Sequence, residues 1–192
     1  MSTQSRTYLT PEQYLKIERK AEFKSEYYRG EMFAMSGARE LHVLIRGNAF
    51  GELRHQLRGG SCKTYQSDMR VCVTAEGLYT YPDVTVVCGK AEFLDETCDA
   101  LLNPTLVIEV LSKSTEACDR GQKFKLYRSL KSLAQYLLIS SREISADLYT
   151  RQPDGQWLLT SKDKLEDSIE LQSIGCRLSL ADLYEQVEFI GA

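Results

Sequence analysis

The hydrophobic residues of the chain recur with two different periods, and these periods predict where helices and strands lie. Between residues 39 and 58 they recur every three or four positions, which predicts an amphipathic helix with one buried stripe. The stripe consists of Leu41, Leu44, Ile45, Ala49, Leu53 and Leu57. A shorter helix is expected from Thr10 to about Phe23, because Pro11 suits the first helical position and Gln13 completes a capping box.

Runs of β-branched and apolar residues between turn-forming residues predict the strands. The predicted strands are Thr64–Val73, Val84–Cys88, Thr105–Leu111, Tyr136–Ser141, Ser145–Thr150 and Trp157–Thr160. A hairpin is expected at residues 27–32, with Gly30 in its turn, and further helices at residues 115–130 and 179–187. This order predicts a mixed sheet flanked by helices, an α/β or α+β fold with an N-terminal helix and hairpin. Residues 105–141 are expected to form a right-handed crossover between parallel strands.

Length, charge and cysteine content limit the class of protein. The 192 residues carry a net charge of −3 and are 43% hydrophobic, which predicts one globular domain over residues 1–192 and excludes a disordered or polybasic chain. Residues 1–10 are polar and no apolar run is long enough for a bilayer, so we expect no leader and no membrane span. The six cysteines lack a C-x-x-C pair. Cys62, Cys72 and Cys88 lie in strand-like runs and are interpreted as reduced thiols of a cytoplasmic protein.

Two acidic residues stand where buried strands should be apolar. Glu109 interrupts the run Leu106–Leu111, and Asp83 begins the run that continues through Val87. A buried carboxylate costs several kcal/mol unless it is paired or binds a metal. A divalent cation held between the two would remove both penalties, and carboxylate oxygens with water are the ligands of Mg²⁺ or Mn²⁺. The alternative is structural, with Glu109 paired to a lysine and Asp83 acting in a turn.

A lysine on the following predicted helix is placed to join these acids. Asp119, Lys123 and Tyr127 are spaced four residues apart and therefore share one side of that helix. Lys123 adjoins the apolar face, so its ammonium is expected to point toward the strands. The alternative is an exposed pair between Lys123 and Asp119, and Lys113 competes with Lys123 for the same role.

These residues together resemble the PD-(D/E)XK nuclease superfamily and, within it, the Uma-type family described as putative restriction endonucleases. The resemblance rests on Pro82-Asp83, on Glu109-Val110-Leu111-Ser112-x-Ser114-Thr115, and on Asp119-x₃-Lys123-x₃-Tyr127. The N-terminal segments 25–31, 35–37 and 41–42 are also similar to that family. The likeness covers roughly residues 8 to 187.

The resemblance implies a restriction-endonuclease-like mixed β-sheet and Mg²⁺-dependent hydrolysis of phosphodiester bonds. Asp83 and Glu109 match the metal ligands of the superfamily, and the backbone carbonyl of Val110 would add a third oxygen. Glu26 matches an N-terminal acid that would be a further ligand. The superfamily places its catalytic lysine two residues after Glu109, where this chain has leucine, so the resemblance assigns that role to Lys123 on the helix.

Several interpretations of the remaining chemistry stay open. His42 either contacts phosphate or assists protonation, or it is a helix histidine at the edge of the core, whereas His55 is expected at the surface. Five basic residues between residues 120 and 131, together with arginines on the 39–58 helix, form candidate DNA-binding patches. The alternative is that such runs are solvated helix faces, which is common.

The sequence is consistent with three functions. They are a Mg²⁺-dependent endonuclease with DNA as the expected substrate; a non-catalytic nucleic-acid-binding or regulatory protein on the nuclease fold; and a homodimeric interaction protein whose acids form structural salt bridges. A homodimer is also expected for the nuclease, because cleavage of both strands needs two sites.

Overall fold

A computed structural model of the chain describes residues 8–189. The strands are β1 (Ser25–Tyr28), β2 (Glu31–Ala34), β3 (Cys62–Gln66), β4 (Arg70–Val73), β5 (Leu78–Thr80), β6 (Val84–Cys88), β7 (Ala100–Leu101), β8 (Leu106–Leu111), β9 (Gln135–Ser140), β10 (Ala146–Arg151), β11 (Trp157–Lys162), β12 (Ser168–Leu171) and β13 (Cys176–Ser179). The helices are α1 (Pro11–Glu18), α2 (Glu40–Gln56), α3 (Glu116–Cys118), α4 (Phe124–Tyr127) and α5 (Leu180–Leu183), with a π-helical segment (Asp119–Lys123) between α3 and α4. A short 3₁₀ turn (Thr74–Glu76) precedes β5.

A six-stranded mixed sheet forms the centre of the fold, in the order β11-β10-β9-β8-β6-β3. Strands β8 and β9 run parallel, and the other neighbours in this sheet are antiparallel. Helix α2 packs on one face through Ile45, Ala49 and Leu53, whereas residues 124–127 pack on the opposite face. The predicted class, a mixed α/β fold with a mixed sheet flanked by helices, is confirmed.

A second, five-stranded sheet carries the N-terminal hairpin, in the order β2-β1-β5-β4-β7. The hairpin turn is the predicted one, because Arg29 and Gly30 both have positive φ angles, 47° and 98°. Glycine is required at residue 30, where a Cβ would lie 2.6 Å from the ring of Tyr8. Helix α1 packs against this sheet through Tyr14, whose ring stacks on that of Tyr27.

Several predicted boundaries are wrong, each for a local reason. Helix α1 ends at Glu18 rather than near Phe23, because the Glu18 carboxylate accepts the backbone N–H of Ser25 and the chain turns back into β1. The run 64–73 is two strands in different sheets, separated by a turn in which the Met69 N–H donates to the Gln66 carbonyl. Helix α5 stops at Leu183, ahead of the predicted residue 187.

Strands β5, β7, β12 and β13 were not predicted, whereas β6 agrees with its prediction at both ends. Residues 1–7 and 190–192 of the predicted 1–192 domain lie outside the described residues, and so does most of the polar segment 1–10.

The cysteine interpretation is wrong for two of three residues. Cys62 and Cys88 are direct partners in the β3–β6 register and form a disulfide, with 3.9 Å between their Cα atoms. Cys72 is a free, buried thiol, and burial raises its pKa to about 11. The cytoplasmic location that the cysteines suggested stays a prediction. Within residues 8–189, no helix has the length and apolar character that crossing a membrane requires.

Candidate functional site

The two predicted strand acids lie side by side at one end of the central sheet. Strands β6 and β8 pair with Val84 opposite Ile108, and continuing this register by one residue brings Asp83 beside Glu109. The backbone N–H of Val110 donates to Asp83 Oδ2 at 2.8 Å, and that of Asp83 donates to Glu109 Oε2 at 3.4 Å. The structure therefore brings the two acids together, as the strand pattern predicted.

Glu109 stands on the sheet face that packs against residues 116–127. Its neighbours two positions away, Val107 and Leu111, belong to the apolar cluster on this face, and side chains alternate between the faces of a strand. Tyr127 donates its hydroxyl to Glu109 Oε1 at 3.2 Å, and Lys123 Nζ lies 3.5 Å from the same oxygen. The helical spacing of Lys123 and Tyr127 signalled that both would face the strands, although a contact role for Tyr127 was not predicted.

Lys123 is the centre of a buried ion cluster, called here the cleft cluster, that consists of Lys123, Glu26, Glu109 and Asp119. Its ammonium lies 2.9 Å from Glu26 and 3.3 Å from Asp119, in addition to the contact with Glu109. Lys123 ends the π-helical segment, a wider helical turn that is frequent at functional sites. Strand β5 supplies Thr80, whose hydroxyl donates to Glu26; this residue was missed because β5 itself was not predicted.

The cleft cluster holds more negative than positive charge. Burial is the main cause that raises the pKa of Glu109 well above its usual range, and the nearby acids add to the shift. Burial likewise raises the pKa of Asp119, whose Oδ1 atom is buried without a hydrogen bond although Lys123 lies 3.3 Å away. Burial by itself would lower the pKa of Lys123, but three carboxylates outweigh it and raise that pKa. One ammonium therefore serves three carboxylates.

Asp83 is held by residues of helix α2 rather than by the cleft cluster. His42 Nε2 lies 2.8 Å from Asp83 Oδ1, so the ring donates to the carboxylate, and Arg46 lies 3.9 Å from the same oxygen. His42 thus orients an acid, a role that neither sequence interpretation gave it. Arg46 was expected only as one of the arginines of a candidate DNA patch, and its contact with Asp83 was not predicted. Its position one helical turn after His42 is the signal that places both on the same face of α2.

The other candidates do not join the cleft cluster as predicted. Lys113 is exposed at the wall of the cleft, and the ammonium that contacts Glu109 is that of Lys123. His55 is exposed, as predicted. The expected basic patch over residues 120–131 is wrong at two members, because Arg120 is paired with Asp147 and Lys123 is buried among acids.

The cluster and Asp83 line an open cleft of about 1230 Å³. Among residues 8–189, no group of three or more His, Cys, Asp and Glu side chains is arranged to hold a metal ion. The oxygen donors nevertheless suit Mg²⁺, because this ion keeps several waters and is usually bound by one or two carboxylates. Asp83 and Glu109 are two adjacent carboxylates of this kind. Val110 turns its N–H toward Asp83, and its carbonyl lies on the same strand edge. The excess negative charge also favours a cation.

Comparison with known proteins gives consistent results. Residues 11–181 match the model of the Uma2 family, which is described as "Putative restriction endonuclease". Two proteins of Synechocystis sp. PCC 6803 are similar: slr1290 is 37% identical over 94% of both chains, and sll1609 is 36% identical over 79% of this chain and 86% of that one. Both carry the description "uncharacterized".

A solved structure shares the fold. The crystal structure of an Anabaena variabilis protein, titled a putative nuclease belonging to DUF820, superposes with a TM-score of 0.76. The superposition covers 94% of this chain and 99% of that one, at 19% sequence identity.

Proposed function

Because the chain belongs to the Uma2 family, we propose that it is an endonuclease that hydrolyses phosphodiester bonds of nucleic acid, with DNA as substrate and Mg²⁺ or Mn²⁺ as cofactor. One observation carries this function. Asp83 lies just before β6 and contacts Glu109 on β8, which in turn contacts Lys123 on the helical segment, and all three line one open cleft.

Each of these residues has a task in such a reaction. Asp83 and Glu109, with the carbonyl of Val110, would hold the divalent ion. When bound, that ion polarises the phosphate and lowers the pKa of a water molecule. Lys123 orients the attacking water and stabilises the charge that develops on the phosphate. Glu26 holds the ammonium of Lys123 at 2.9 Å, so we interpret it as a positioning residue more than as a metal ligand.

Nicking of supercoiled plasmid DNA tests this function. We expect the protein to nick the plasmid in the presence of Mg²⁺ or Mn²⁺, and we expect nicking to stop when EDTA is added. Asp83→Asn, Glu109→Gln and Lys123→Ala should each lower the rate roughly 100-fold or more, the effect of removing one electrostatic contributor to a transition state. Glu170→Gln is a matched control, because Glu170 is an exposed acid on β12 paired with Arg177. It should nick like the wild type.

Two results would overturn the proposed metal-dependent nuclease site. The first is cleavage that persists in EDTA or in the Asp83→Asn and Glu109→Gln variants at the wild-type rate. The second is DNA binding without turnover at every concentration of Mg²⁺ and Mn²⁺, which would leave a non-catalytic nucleic-acid-binding protein on the same fold.

Cleavage of both strands of a duplex would require two copies of the site, so the proposed endonuclease includes a homodimer. Light scattering at micromolar protein should then give twice the mass of one chain. A monomeric mass at that concentration, with or without DNA, contradicts the dimer and leaves the nicking reaction unaffected.

A further inference from the structure

Two kinds of side chain line the cleft. Four apolar residues come from the N-terminal hairpin, the residues that flank it and the first turn of α2; they are Phe23, Phe33, Met35 and Val43, called here the apolar shelf. Hydroxyl and cationic side chains come from the segments that follow β8 and β9, namely Ser112, Lys113, Ser114, Thr115, Ser141 and Arg142. The cleft cluster lies in the same cavity. A ligand that fills the cleft therefore meets both apolar surface and hydrogen-bond donors.

The shelf is exposed, and one of its members stands directly beside the cleft cluster. Phe23 is 78% exposed and Phe33 is 48% exposed, although aromatic side chains are usually buried. In the hairpin register Phe33 is the direct partner of Glu26, so their side chains share one face. Because Glu26 contacts the ammonium of Lys123 at 2.9 Å, the Phe33 ring lies close to the ion cluster.

We propose that the cleft takes a nucleic-acid strand with unpaired bases, and that a base next to the scissile phosphate stacks on Phe33 and the rest of the apolar shelf. This inference rests on the proposed function and deepens it, since it names single-stranded or locally unpaired nucleic acid as the preferred substrate.

The charge distribution of the cleft supports a polyanionic ligand. Outside the cleft cluster and Asp83, its charged lining residues are five cations and a single acid, Glu22. The cations are Lys24, Arg39, Arg46, Lys113 and Arg142. Three of them also lie near an acid, Lys24 near Asp68, Arg46 near Asp83 and Arg142 near Glu116. A cationic groove with aromatic side chains at its wall is how proteins bind single strands, with bases stacked on the rings and phosphates on the cations. In an intact duplex the base faces are covered by their neighbours, so Phe33 would meet only the backbone.

A second copy of this chain fits the same surface less well. A two-fold axis at the cleft would set the patch against itself, because an isologous interface pairs each surface with its own copy. The cations that line the cleft would then be brought close to the same cations of the second copy. We therefore propose that the apolar shelf binds a nucleotide base. The experiment below also shows whether a second copy of the chain binds there instead.

Binding to labelled oligonucleotides in EDTA tests the shelf without turnover. The probes are a mixed-sequence single strand and its blunt duplex, followed by fluorescence anisotropy. We expect the wild type to bind the single strand more tightly than the duplex, and Phe33→Ala to weaken single-strand binding roughly 5- to 100-fold. Leu158→Ala is the matched control, because Leu158 is an apolar residue on β11 that is 57% exposed and lies outside the cleft lining. It should bind like the wild type.

A tryptophan at the same position reports stacking directly. The natural chain has one tryptophan, Trp157, which is partly buried and packs against Phe124. Phe33→Trp should retain binding, and the single strand should quench the added fluorescence more than the duplex does. Equal quenching by both probes, or wild-type binding by Phe33→Ala, overturns the inference. So does a dimer that Phe33→Ala dissociates while single-strand binding is unchanged, since that result assigns the shelf to a second copy.

The same measurements separate this inference from the nuclease function. Single-strand quenching of Phe33→Trp without any metal-dependent cleavage retains the shelf and rejects the nuclease. Metal-dependent cleavage at equal rates on both probes, with Phe33→Ala as active as the wild type, retains the nuclease and rejects the shelf.

Discussion

Two networks of charged side chains lie in this protein, and they treat their acids in opposite ways. In the first, called here the Arg19 network, Arg19 and Arg70 face Asp95 and Asp99. Hydrogen bonds from Arg19 above all hold the pKa of Asp99 well below its usual range. In the cleft cluster one lysine serves three acids, and burial raises the pKa of Glu109 and of Asp119.

Solvent access and charge balance explain the opposite directions. The side chains of Arg19, Asp95 and Asp99 are 31–39% exposed, so water solvates their charges in part. Glu109 and Asp119 are 5% and 3% exposed and share a single ammonium. The Arg19 network thus matches two cations with two acids, whereas the cleft cluster sets one cation against three acids, an imbalance that a bound cation would offset. Such a perturbed group in a cleft marks a candidate functional site.

The largest difference is expected when each network loses its cation. Lys123→Met leaves three acids without their ammonium, and breaking a buried pair in this way should lower the free energy of unfolding by about 3–5 kcal/mol. Arg19→Met removes a partly exposed cation and should cost about 1 kcal/mol or less. Urea denaturation followed by circular dichroism measures both.

A double variant sharpens this comparison. Adding Glu109→Gln to Lys123→Met removes one of the orphaned charges, so part of the lost stability should return, as a double-mutant cycle would quantify. If Lys123→Met unfolds at the same urea concentration as the wild type, the acids of the cleft cluster do not depend on that lysine.

How far the sequence predicts these two networks depends on which contacts are local. Glu109 was predicted because it is a single acid in an apolar strand, and Lys123 because helical spacing turns it toward the sheet. The position of Glu26 in the cleft cluster depends on the pairing of β1 with β5, a long-range register that no local sequence pattern predicts. For the same reason the Cys62–Cys88 disulfide was missed, since it follows from the β3–β6 register. The Arg19 network joins residues 76 to 80 positions apart through Arg19 and 29 positions apart through Arg70, and it was not predicted at all.

The next largest difference between the two networks is expected in the stability that a bound divalent cation adds. If Asp83 and Glu109 hold the ion, Mg²⁺ or Mn²⁺ at a concentration 100-fold above its dissociation constant should stabilise the wild type by about 2.7 kcal/mol. Asp99→Asn should gain the same amount, because the Arg19 network is not involved. Glu109→Gln should gain much less. Thermal unfolding with and without the metal measures these shifts, and an equal gain in all three proteins would place the ion elsewhere.

A smaller effect is expected from Glu109→Gln without metal. The raised pKa of Glu109 means that folding disfavours its ionised form, so removing the charge at pH 7 should stabilise the protein by about 1–2 kcal/mol. The gain should vanish as the pH falls below the ordinary glutamate range, because Glu109 is then protonated in both folded and unfolded chains. A variant less stable than the wild type at pH 7 would mean that Lys123 compensates Glu109 in full.

The smallest effect, of opposite sign, is expected from Asp99→Asn, which should cost about 1 kcal/mol or less at pH 7 because the pair is partly exposed. The lowered pKa of Asp99 means that its contribution is present above the ordinary aspartate range and is lost as the pH falls through its folded value. Near pH 4 the wild type should therefore still be more stable to unfolding than Asp99→Asn, by most of the difference seen at pH 7. At the same pH its free energy of unfolding should nearly equal that of Glu109→Gln. Denaturant midpoints of the three proteins between pH 3 and pH 8 test this, and parallel curves would show that the two networks do not differ in the way their pKa shifts indicate.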